Sequence, residues 1–404
     1  MVRYPAWKRC CLYLSILGNV GSLGLFKYLF FFTENVNSVL SLFGSSQFVP
    51  IIKLTLPVGI SFYTFQSMSY TIDVYRGELK PTTNVFHFFS FLSMFPQLVA
   101  GPIIRAADLL PQLEELKNPT PQQLWYGMRL ITHGYFKKVV IADNLAPIVN
   151  TAFGQTVLTD SCLYWWLVVT MFALQIYCDF SGYSDIARGL GAWMGFEFML
   201  NFDHPYIATS VREFWTRWHI SLSTWFRDYV YVPLGGSKNG SWLSYRNLWI
   251  TMLVSGLWHG AAWTFVVWGG LHAFYVQTER MTGWPKKLAK VAGGRYLSSA
   301  IVLFEVWIAW VFFRATSMGQ AFEIIGIMLN PMKLGALHLR MIDKLAIFWL
   351  AVGIARELTF YFRWDALFHH PFYEHYVEPV KLAAMLTACV YLRGVGSAFI
   401  YFQF

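Results

Sequence analysis

The chain has 404 residues, of which 56% are hydrophobic and 19% aromatic, whereas only 13% are charged. Soluble domains carry about 25% charged residues, and 18 Trp, 22 Tyr and 36 Phe would leave a soluble protein with too much exposed apolar surface. The composition therefore excludes an ordinary soluble domain and favours the lipid bilayer as solvent. The net charge of +9 comes from Lys and Arg residues between apolar segments, which is typical of cytoplasmic loops near anionic head groups and not of nucleic-acid binding.

The apolar segments predict a multi-pass protein, because a helix needs about 20 apolar residues to cross the hydrocarbon core. Several segments contain Gly, Pro or a charge, so we expect broken helices surrounded by protein rather than a simple up-and-down bundle. The first segment is too long for a signal-peptide core, contains Lys27 and is predicted to stay in the membrane. The predicted segments are 10–32, 51–72, 85–104, 124–146, 162–180, 248–275, 297–313, 345–362 and 382–402.

No internal repeat or low-complexity linker divides the sequence, so residues 1–404 are predicted to form a single domain. The five cysteines are odd in number, form no C-x-x-C pair and lie within apolar segments. We interpret them as small buried apolar residues, and expect neither a disulfide framework nor a zinc site.

Residues 203–246 form a polar, aromatic-rich stretch that is predicted to be a cytoplasmic or interfacial amphipathic segment. Such a helix is expected to lie in the interface plane, with its Trp side chains at head-group level. The residues Pro233, Gly235 and Gly236 are expected to end it. The aromatic stripe at helical spacing consists of Trp215, Trp218, Leu222, Trp225 and Tyr229.

Between Arg246 and Glu279 the chain runs for 32 residues without Asp, Glu, Lys or Arg. One helix of that length would measure about 48 Å at ~1.5 Å per residue, more than a single crossing needs. Two helices, a re-entrant hairpin or a strong tilt would each fit. Basic residues on both flanks favour a dip-and-return geometry by the positive-inside rule.

His259 lies in this apolar run as Trp258-His259-Gly260, four residues after Ser255. An ionisable side chain inside a membrane is costly and suggests a functional site, and imidazole can enter neutral and still exchange a proton around neutral pH. The alternative is a core residue hydrogen-bonded to a neighbouring helix. His272, near the end of the run, fits a structural role better.

His219 lies on the predicted interfacial helix, and Ser223 is four residues further on, so that both share one face. Together with Trp218 they could line the mouth of a tunnel. The alternative is a histidine at head-group level without a reactive role.

Asp179 and Asp185 lie at the edge of an apolar segment, in "QIYCDFSGYSDIARGLG". Paired carboxylates could bind a cation or carry protons, but capping of the next helix and pairing with Arg188 is the favoured interpretation. The sequence lacks a G-x-S-x-G elbow, a P-loop and an H-E-x-x-H motif, so it does not indicate soluble-enzyme chemistry.

Five motifs follow one another along the chain: "FPQLVAGPIIR", "YCDFSGYSDIARGLG", "REFWTRWHISLSTWFRDYVYVPLGG", "SGLWHGAAWTFVVWGGLHA" and "FIYFQF". In this order they resemble the membrane-bound O-acyltransferase family, in particular its alginate O-acetyltransferase branch. The resemblance runs from about Gly18 to the C-terminus and implies an all-α polytopic fold, in which a ring of tilted and broken transmembrane helices surrounds a central tunnel. It implies that His259 is catalytic and that His219 occupies the place of a second His, Asn or Asp.

The resemblance further implies transfer of an acyl group, with acetyl expected, from a cytoplasmic thioester toward hydroxyls of an extracytoplasmic polysaccharide such as alginate or another exopolysaccharide. The donor would be acetyl-CoA or an acyl carrier protein, the partner a periplasmic acetyltransferase, and the location the inner (cytoplasmic) membrane. Neither a metal nor a bound cofactor is expected. Substrate-tunnel candidates are Trp218, Ser223, Ser255, Trp258 and Asp179.

In this mechanism the neutral imidazole of His259 takes the proton of a hydroxyl as it meets the thioester carbonyl. Ser255, the backbone near His259 or His219 itself are candidate oxyanion donors. Relatives in this branch usually carry additional helices before "GSLGLFKYLFFF", whereas about twenty residues precede it here, so a shortened protein and an upstream start are both open.

Three alternatives stay open on sequence alone. D-alanyl transfer to teichoic acid belongs to a more distant branch of the same family. A transporter or channel would also suit broken helices and intramembrane polar groups, but should show an internal repeat. A metal or haem protein would use His219, His259 and His272 as ligands, at spacings of 40 and 13 residues that match no standard site.

Overall fold

A computed structural model describes residues 7–44, 49–52, 54–55, 57–98, 101–154, 159–238, 240–334, 341–364 and 370–400. Within these ranges the secondary structure is helical and contains no β-strand, which confirms the all-α class. Residues 99–100 and 401–404, from the first and last of the five motifs, lie outside the described ranges. The α-helices are α1 Lys8–Leu23, α2 Leu29–Leu42, α3 Ile60–Arg76, α4 Val85–Ser93, α5 Phe95–Leu98, α6 Ala106–Glu114, α7 Pro121–Tyr135, α8 Asp143–Ala152, α9 Cys162–Trp193, α10 Val211–Arg217, α11 Ile220–Phe226, α12 Ser241–His259, α13 Trp263–Thr282, α14 Trp284–Leu288, α15 Gly294–Arg314, α16 Met318–Met328, α17 Met341–Tyr361 and α18 Glu378–Tyr391.

The first of two compact units comprises Met1–Gln123 and Gly191–Met199. In it, α1 continues through a π-helical turn into α2, so the predicted segment 10–32 belongs to a 35-residue helix. Ser15 Oγ of α1 lies 3.0 Å from Thr71 Oγ1 of α3. Such a bond joins apolar helices by pairing polar groups that hydrocarbon cannot solvate.

The predicted segments 51–72, 85–104 and 382–402 are shorter or divided as helices in the structure. The segment 51–72 becomes helical only at Ile60, because Gly59 adopts a left-handed conformation with φ of 76° just before it. The segment 85–104 is divided between α4 and α5 at Met94, two residues before a proline. The last segment is also shorter than predicted, since α18 ends at Tyr391.

The second compact unit comprises Leu124–Leu190 and Leu200–Phe404. Its helices α7 and α9 approach closely at glycines: a Cβ on Gly134 would lie 2.5 Å from the carbonyl oxygen of Gly182. Small residues permit this approach between apolar helices. Among the described residues, Lys8–Leu42, Cys162–Trp193 and Gly294–Arg314 are long and apolar enough to cross a membrane.

The uncharged run folds as a helical hairpin, α12 and α13, joined by the residues 260–262. The two helices are antiparallel, since Trp249 Nε1 near the start of α12 donates to Gln277 Oε1 near the end of α13 at 2.6 Å. A Cβ on Gly256 would lie 2.3 Å from the carbonyl oxygen of Phe265, and one on Gly269 equally close to that of Met252. The two-helix alternative is therefore confirmed, while the return of the hairpin to one side of a membrane stays a prediction.

The polar stretch 203–246 does not form one continuous helix, so the single helix expected for its aromatic stripe is divided, while its position at the membrane interface stays a prediction. The chain divides into α10 and α11 at Trp218 and His219, and a π-helical turn Arg227–Tyr231 follows. Trp218 and Trp225 are 1% and 4% exposed, so they pack inside the protein. A period of 3.6 residues marks an apolar face but cannot tell a membrane surface from a protein interior.

Candidate active site

His219 occupies the break between α10 and α11, with a left-handed backbone conformation of φ 43° and ψ 54°. This conformation is uncommon for residues other than glycine, so surrounding contacts must hold it. The residues on both sides are bonded to one extended segment: Ile220 N donates to the carbonyl oxygen of Asn201 at 2.9 Å, and Asp203 N to that of Arg217 at 2.9 Å. His219 therefore projects from a braced kink and not from a regular helix.

The imidazole of His219 lies in an aromatic environment. Its ring is 4.6 Å from that of Phe180 and 6.1 Å from that of Phe202, centroid to centroid, and the residue is 0% exposed. Burial lowers the pKa of His219 to about 3, because an imidazolium would lose its hydration. The side chain is therefore a neutral imidazole at physiological pH.

His259 is the last residue of α12 and is 4% exposed. Its ring centroid lies 5.0 Å from Trp258, 5.0 Å from Trp268 and 5.4 Å from Phe313. The ring of Trp258 also lies 6.2 Å from that of His219. Trp258 is thus a shared neighbour that brings both predicted histidines into one aromatic layer.

A cavity of about 680 Å³ lies along α12 and contains Ser223 and Ser255 in its wall. Ser255 is one helical turn before His259 on α12, so these two side chains share a face. His219 instead lies in the left-handed break before α11, so its ring does not follow the helical register of Ser223, whose hydroxyl donates to the carbonyl oxygen of Trp218 at 3.1 Å. The wall does not include the imidazoles themselves, which lie in the aromatic layer behind it. Of the predicted residues, Ser223 and Ser255 thus lie in the cavity wall, while His219 and His259 lie in the aromatic layer around Trp258.

The cavity wall is also rich in cations and hydroxyls. Arg280 donates to Ser244 Oγ at 3.2 Å and approaches Tyr231 OH at 3.4 Å. Three guanidinium groups beside hydroxyl donors suit a phosphate or another anion. These wall residues are Arg212, Arg227, Arg280, Tyr231, Ser237, Ser241, Ser244 and Tyr245.

Trp218 and Asp179 lie outside this wall. Trp218 packs its ring 5.0 Å from Trp310 and 5.0 Å from Phe202, in the aromatic core behind His219. Asp179 pairs with Lys138 Nζ at 2.7 Å and accepts a hydrogen bond from Ile400 N at 2.7 Å. Trp218 is thus placed as a core residue and Asp179 as an internal ion-pair partner.

The expected pairing around Asp179 was wrong in detail. The helix α9 continues from Cys162 to Trp193, so Asp179 and Asp185 cap no following helix. It is Asp185 that lies 3.8 Å from Arg188, one turn away, and it also pairs with Lys137. The spacing of three residues was a local signal for the pair of Asp185 and Arg188, whereas the pairing with Lys137 and Lys138 joins two different helical segments and had no local signal.

A cluster of charges anchors residues 394–400. Lys138 Nζ donates to Asp143 Oδ1 at 2.9 Å and to the carbonyl oxygen of Ser397 at 3.1 Å. Ser397 Oγ in turn donates to Asp143 Oδ1 at 2.7 Å. Together with Asp179, these groups form a partly buried network, which we call the tail clamp: Lys138, Asp143, Asp179, Ser397 and the backbone N–H of Ile400.

His272 is 0% exposed, and neither ring nitrogen forms a hydrogen bond to the described residues. Its ring centroid lies 4.8 Å from Trp268 and 5.0 Å from Trp215. Among the side chains that the structure describes, no group of three or more His, Cys, Asp or Glu could hold a metal ion.

Two buried residues that form hydrogen bonds to this region were missed in the sequence. Asn201 is 0% exposed and bonds His219, while Glu279 Oε2 accepts hydrogen bonds from the N–H groups of Val211, at 2.7 Å, and Arg212, at 3.3 Å. Both act across long stretches of chain, which no local pattern reveals.

A third missed residue, Glu213, does carry a sequence signal. Ser210 and Glu213 form the S-x-x-E pattern that begins a helix, and Ser210 Oγ accepts from Glu213 N at 3.0 Å. Burial raises the pKa of the Glu213 carboxyl, but hydrogen bonds from Thr209 and from Arg217 outweigh it and hold the pKa below its usual value. Glu213 is therefore a stable carboxylate in the first turn of α10, where negative charge is favourable.

Comparison with known proteins gives a coherent group of relatives. The family model of the membrane-bound O-acyltransferases matches residues 75–284. A probable alginate O-acetylase from Azotobacter vinelandii is 42% identical over 78% of this chain and 62% of its own length. A peptidoglycan O-acetyltransferase from Helicobacter pylori is 35% identical over 79% and 64%, and a teichoic acid D-alanyltransferase from Streptococcus thermophilus 31% identical over 53% and 54%. The chain thus spans less than two thirds of the length of these relatives.

Proposed function

Because the chain belongs to the membrane-bound O-acyltransferase family, we propose that it transfers an acyl group, acetyl in the first instance, from a cytoplasmic thioester to a hydroxyl on the other side of the membrane. The observation that carries the proposal is the pair of buried imidazoles of His219 and His259, both in ring contact with Trp258, beside a cavity whose wall includes Ser255, one helical turn before His259. The family and the three candidate spans make the protein a multi-pass membrane protein. We place it in the inner membrane.

The chemistry of the proposed transfer uses His259 as general base. The hydroxyl oxygen attacks the thioester carbonyl while His259 takes its proton. The C–S bond then breaks, and the same proton neutralises the departing thiolate. A general base contributes about 10²–10⁴-fold, and an environment of Trp and Phe rings excludes the water that would hydrolyse the donor. His219 assists, and Ser255 is the candidate donor to the oxyanion.

We propose that the thioester arrives through the cavity beside α12, as acetyl-CoA. Three arginines and several hydroxyls in its wall suit the phosphates of coenzyme A. The cavity extends toward the end of the hairpin that carries Arg246 and Arg280, which is the cytoplasmic end by the positive-inside rule. An acyl carrier protein is the alternative donor. Its prosthetic group has a single phosphate, so its binding would depend less on these arginines.

The proposed acceptor is an extracytoplasmic polysaccharide, with alginate or a similar exopolysaccharide first. The names of the alginate and peptidoglycan O-acetylating relatives support a glycan hydroxyl, and a periplasmic acetyltransferase would be the partner that completes delivery. The teichoic acid D-alanyltransferase relative makes D-alanine the second acyl group to test.

The first experiment measures loss of label from radiolabelled acetyl-CoA in membranes that contain wild type, His259→Ala or His219→Ala at matched protein levels. We expect transfer by wild type, and a loss of at least about 10²-fold in His259→Ala. His133→Ala is the control, since His133 lies on α7 and, within the part of the chain that the structure describes, its ring bonds the carbonyl oxygen of Arg129 in the same helix. Transfer by His259→Ala at the wild-type rate would refute the proposed base.

An assay on the same membranes distinguishes an acyltransferase from a transporter. Broken helices and buried polar groups also suit translocation, which would move substrate without breaking the thioester. Flux of intact acetyl-CoA into sealed vesicles, with no covalent product and no effect of His259→Ala, would favour that alternative.

A further inference from the structure

The amide of Asn201 has a determined orientation, because its neighbours leave one assignment. The backbone N–H of Ser221 lies 3.2 Å from the Oδ1 atom, and an N–H group can only donate, so the atom facing it must be the oxygen. The Ser221 hydroxyl donates to the same oxygen at 2.9 Å. On its other side, Nδ2 of Asn201 donates to Ser184 Oγ at 3.2 Å. Reversing the amide would place an NH₂ group against the N–H of Ser221.

This orientation determines the tautomer of His219. Oδ1 of Asn201 lies 3.2 Å from Nδ1 of His219, and a carbonyl oxygen only accepts. Nδ1 must therefore carry the hydrogen, since a lone pair there would face the lone pairs of the oxygen. The Ser221 hydroxyl is more distant from Nδ1, at 3.5 Å, than from Oδ1. A neutral imidazole has one N–H, so Nε2 carries the lone pair.

A backbone hydrogen bond also fixes Asn201 and His219 relative to each other. Asn201 accepts from Ile220 N through its carbonyl oxygen, at 2.9 Å, while its side chain bonds His219 and Ser221. Both Asn201 and His219 are 0% exposed. The same asparagine thus braces the left-handed backbone of His219 and orients its ring.

We propose that Asn201 is a positioning residue that holds His219 as the Nδ1–H tautomer, so that His219 enters the reaction as an acceptor at Nε2. The inference deepens the proposed function and, for its catalytic consequence, rests on it. A ring in this state takes a hydrogen bond from a substrate hydroxyl or thiol and donates none to an oxyanion. The hydrogen bonds that stabilise the oxyanion therefore come from Ser255 or from backbone N–H groups. His219 accepts a hydrogen bond from the same hydroxyl and so orients or shares the proton that His259 removes.

The tautomer is measured directly by ¹⁵N NMR on protein labelled at histidine in lipid nanodiscs, with the His219 signals identified by their loss in His219→Gln. We expect a protonated Nδ1 and an unprotonated Nε2 in wild type. Asn201→Asp keeps the acceptor oxygen and should keep this state, whereas Asn201→Leu should give a mixture of both tautomers. A protonated Nε2 in wild type overturns the inference, whether or not the protein transfers acetyl groups.

The kinetic arm uses the same variants. We expect Asn201→Leu to lower kcat by about 10²-fold, as loss of a proton acceptor does, with KM for acetyl-CoA little changed, and Asn201→Asp to restore most of kcat. Asn37→Leu removes a second buried asparagine, which bonds Val49, and controls for the general cost of losing a buried amide. A folded Asn201→Leu with wild-type kcat, beside an inactive His219→Ala, overturns the positioning role. If neither wild type nor any variant transfers acetyl groups while the NMR signals are as expected, the proposed function is refuted and the tautomer assignment is unaffected.

Discussion

The contact between α12 and α13 gives a prediction that can be worked out from distances. In Gly269→Ala the new Cβ would lie 2.3 Å from the carbonyl oxygen of Met252, whereas ordinary contacts begin at 3.4 Å. The helices must therefore separate by about 1.1 Å (3.4 minus 2.3), since a backbone oxygen cannot rotate away. Trp268, the residue before this glycine, packs against His259, so the separation displaces the proposed base from its neighbour.

Overpacking of this kind costs about 1–3 kcal/mol of stability, and a displacement near 1 Å in a reacting group lowers rates by about 10²-fold. Gly270→Ala is a matched control on the next residue, because its Cβ would meet nothing closer than 3.7 Å. The assays are thermal unfolding in detergent and acetyl transfer at equal amounts of folded protein. Equal melting temperatures and equal rates for the two variants would refute the reasoning, because the hairpin would then not depend on close approach at Gly269.

Two further predictions concern charges away from the histidines. Replacing Lys138 by Met leaves Asp143 and Asp179 buried without their cation, so we expect a loss of about 3–5 kcal/mol in the free energy of unfolding. The control is Lys333→Met, which removes an exposed pair with Asp160 and should cost at most about 1 kcal/mol. Similar unfolding midpoints for the two variants would contradict this prediction. The pKa of Glu213 is lower in the folded protein, so the carboxylate stabilises the fold above the usual pKa of 4.5, and this stabilisation is lost as the pH falls below that value. The melting temperature of Glu213→Gln should therefore fall less steeply with decreasing pH than that of wild type. Equal slopes for the two proteins would show that this carboxylate does not contribute.

The sequence was sufficient for the helical class, because an apolar composition depends on local properties. For the uncharged run it left two helices, a re-entrant hairpin and a strong tilt open, and only the structure shows the close approach at Gly256 and Gly269. The same local reasoning identified His259 and His219 as candidates, and the structure gives both a common neighbour in Trp258.

The break at His219 could not be predicted. The local sequence "TRWHIS" contains neither Gly nor Pro, and it is the hydrogen bonds to Asn201, 18 residues earlier, that hold the left-handed conformation. The aromatic stripe predicted one continuous helix, but Trp218 packs against Phe202 and Trp310 from other parts of the chain. These long-range contacts, which the local sequence does not contain, accompany a buried break in the helix.

The tail clamp has a consequence for the order of events during synthesis. Ser397 follows Asp143 by 254 residues, which at ~5–20 residues per second takes the ribosome roughly 13–50 s. Throughout that interval Lys138 and its two carboxylates lack the hydroxyl and backbone partners that residues 394–400 supply. A nascent chain must therefore keep these charges hydrated, or held by the insertion machinery, and the packing of α7, α8 and α9 around them is completed only after translation has passed Ile400.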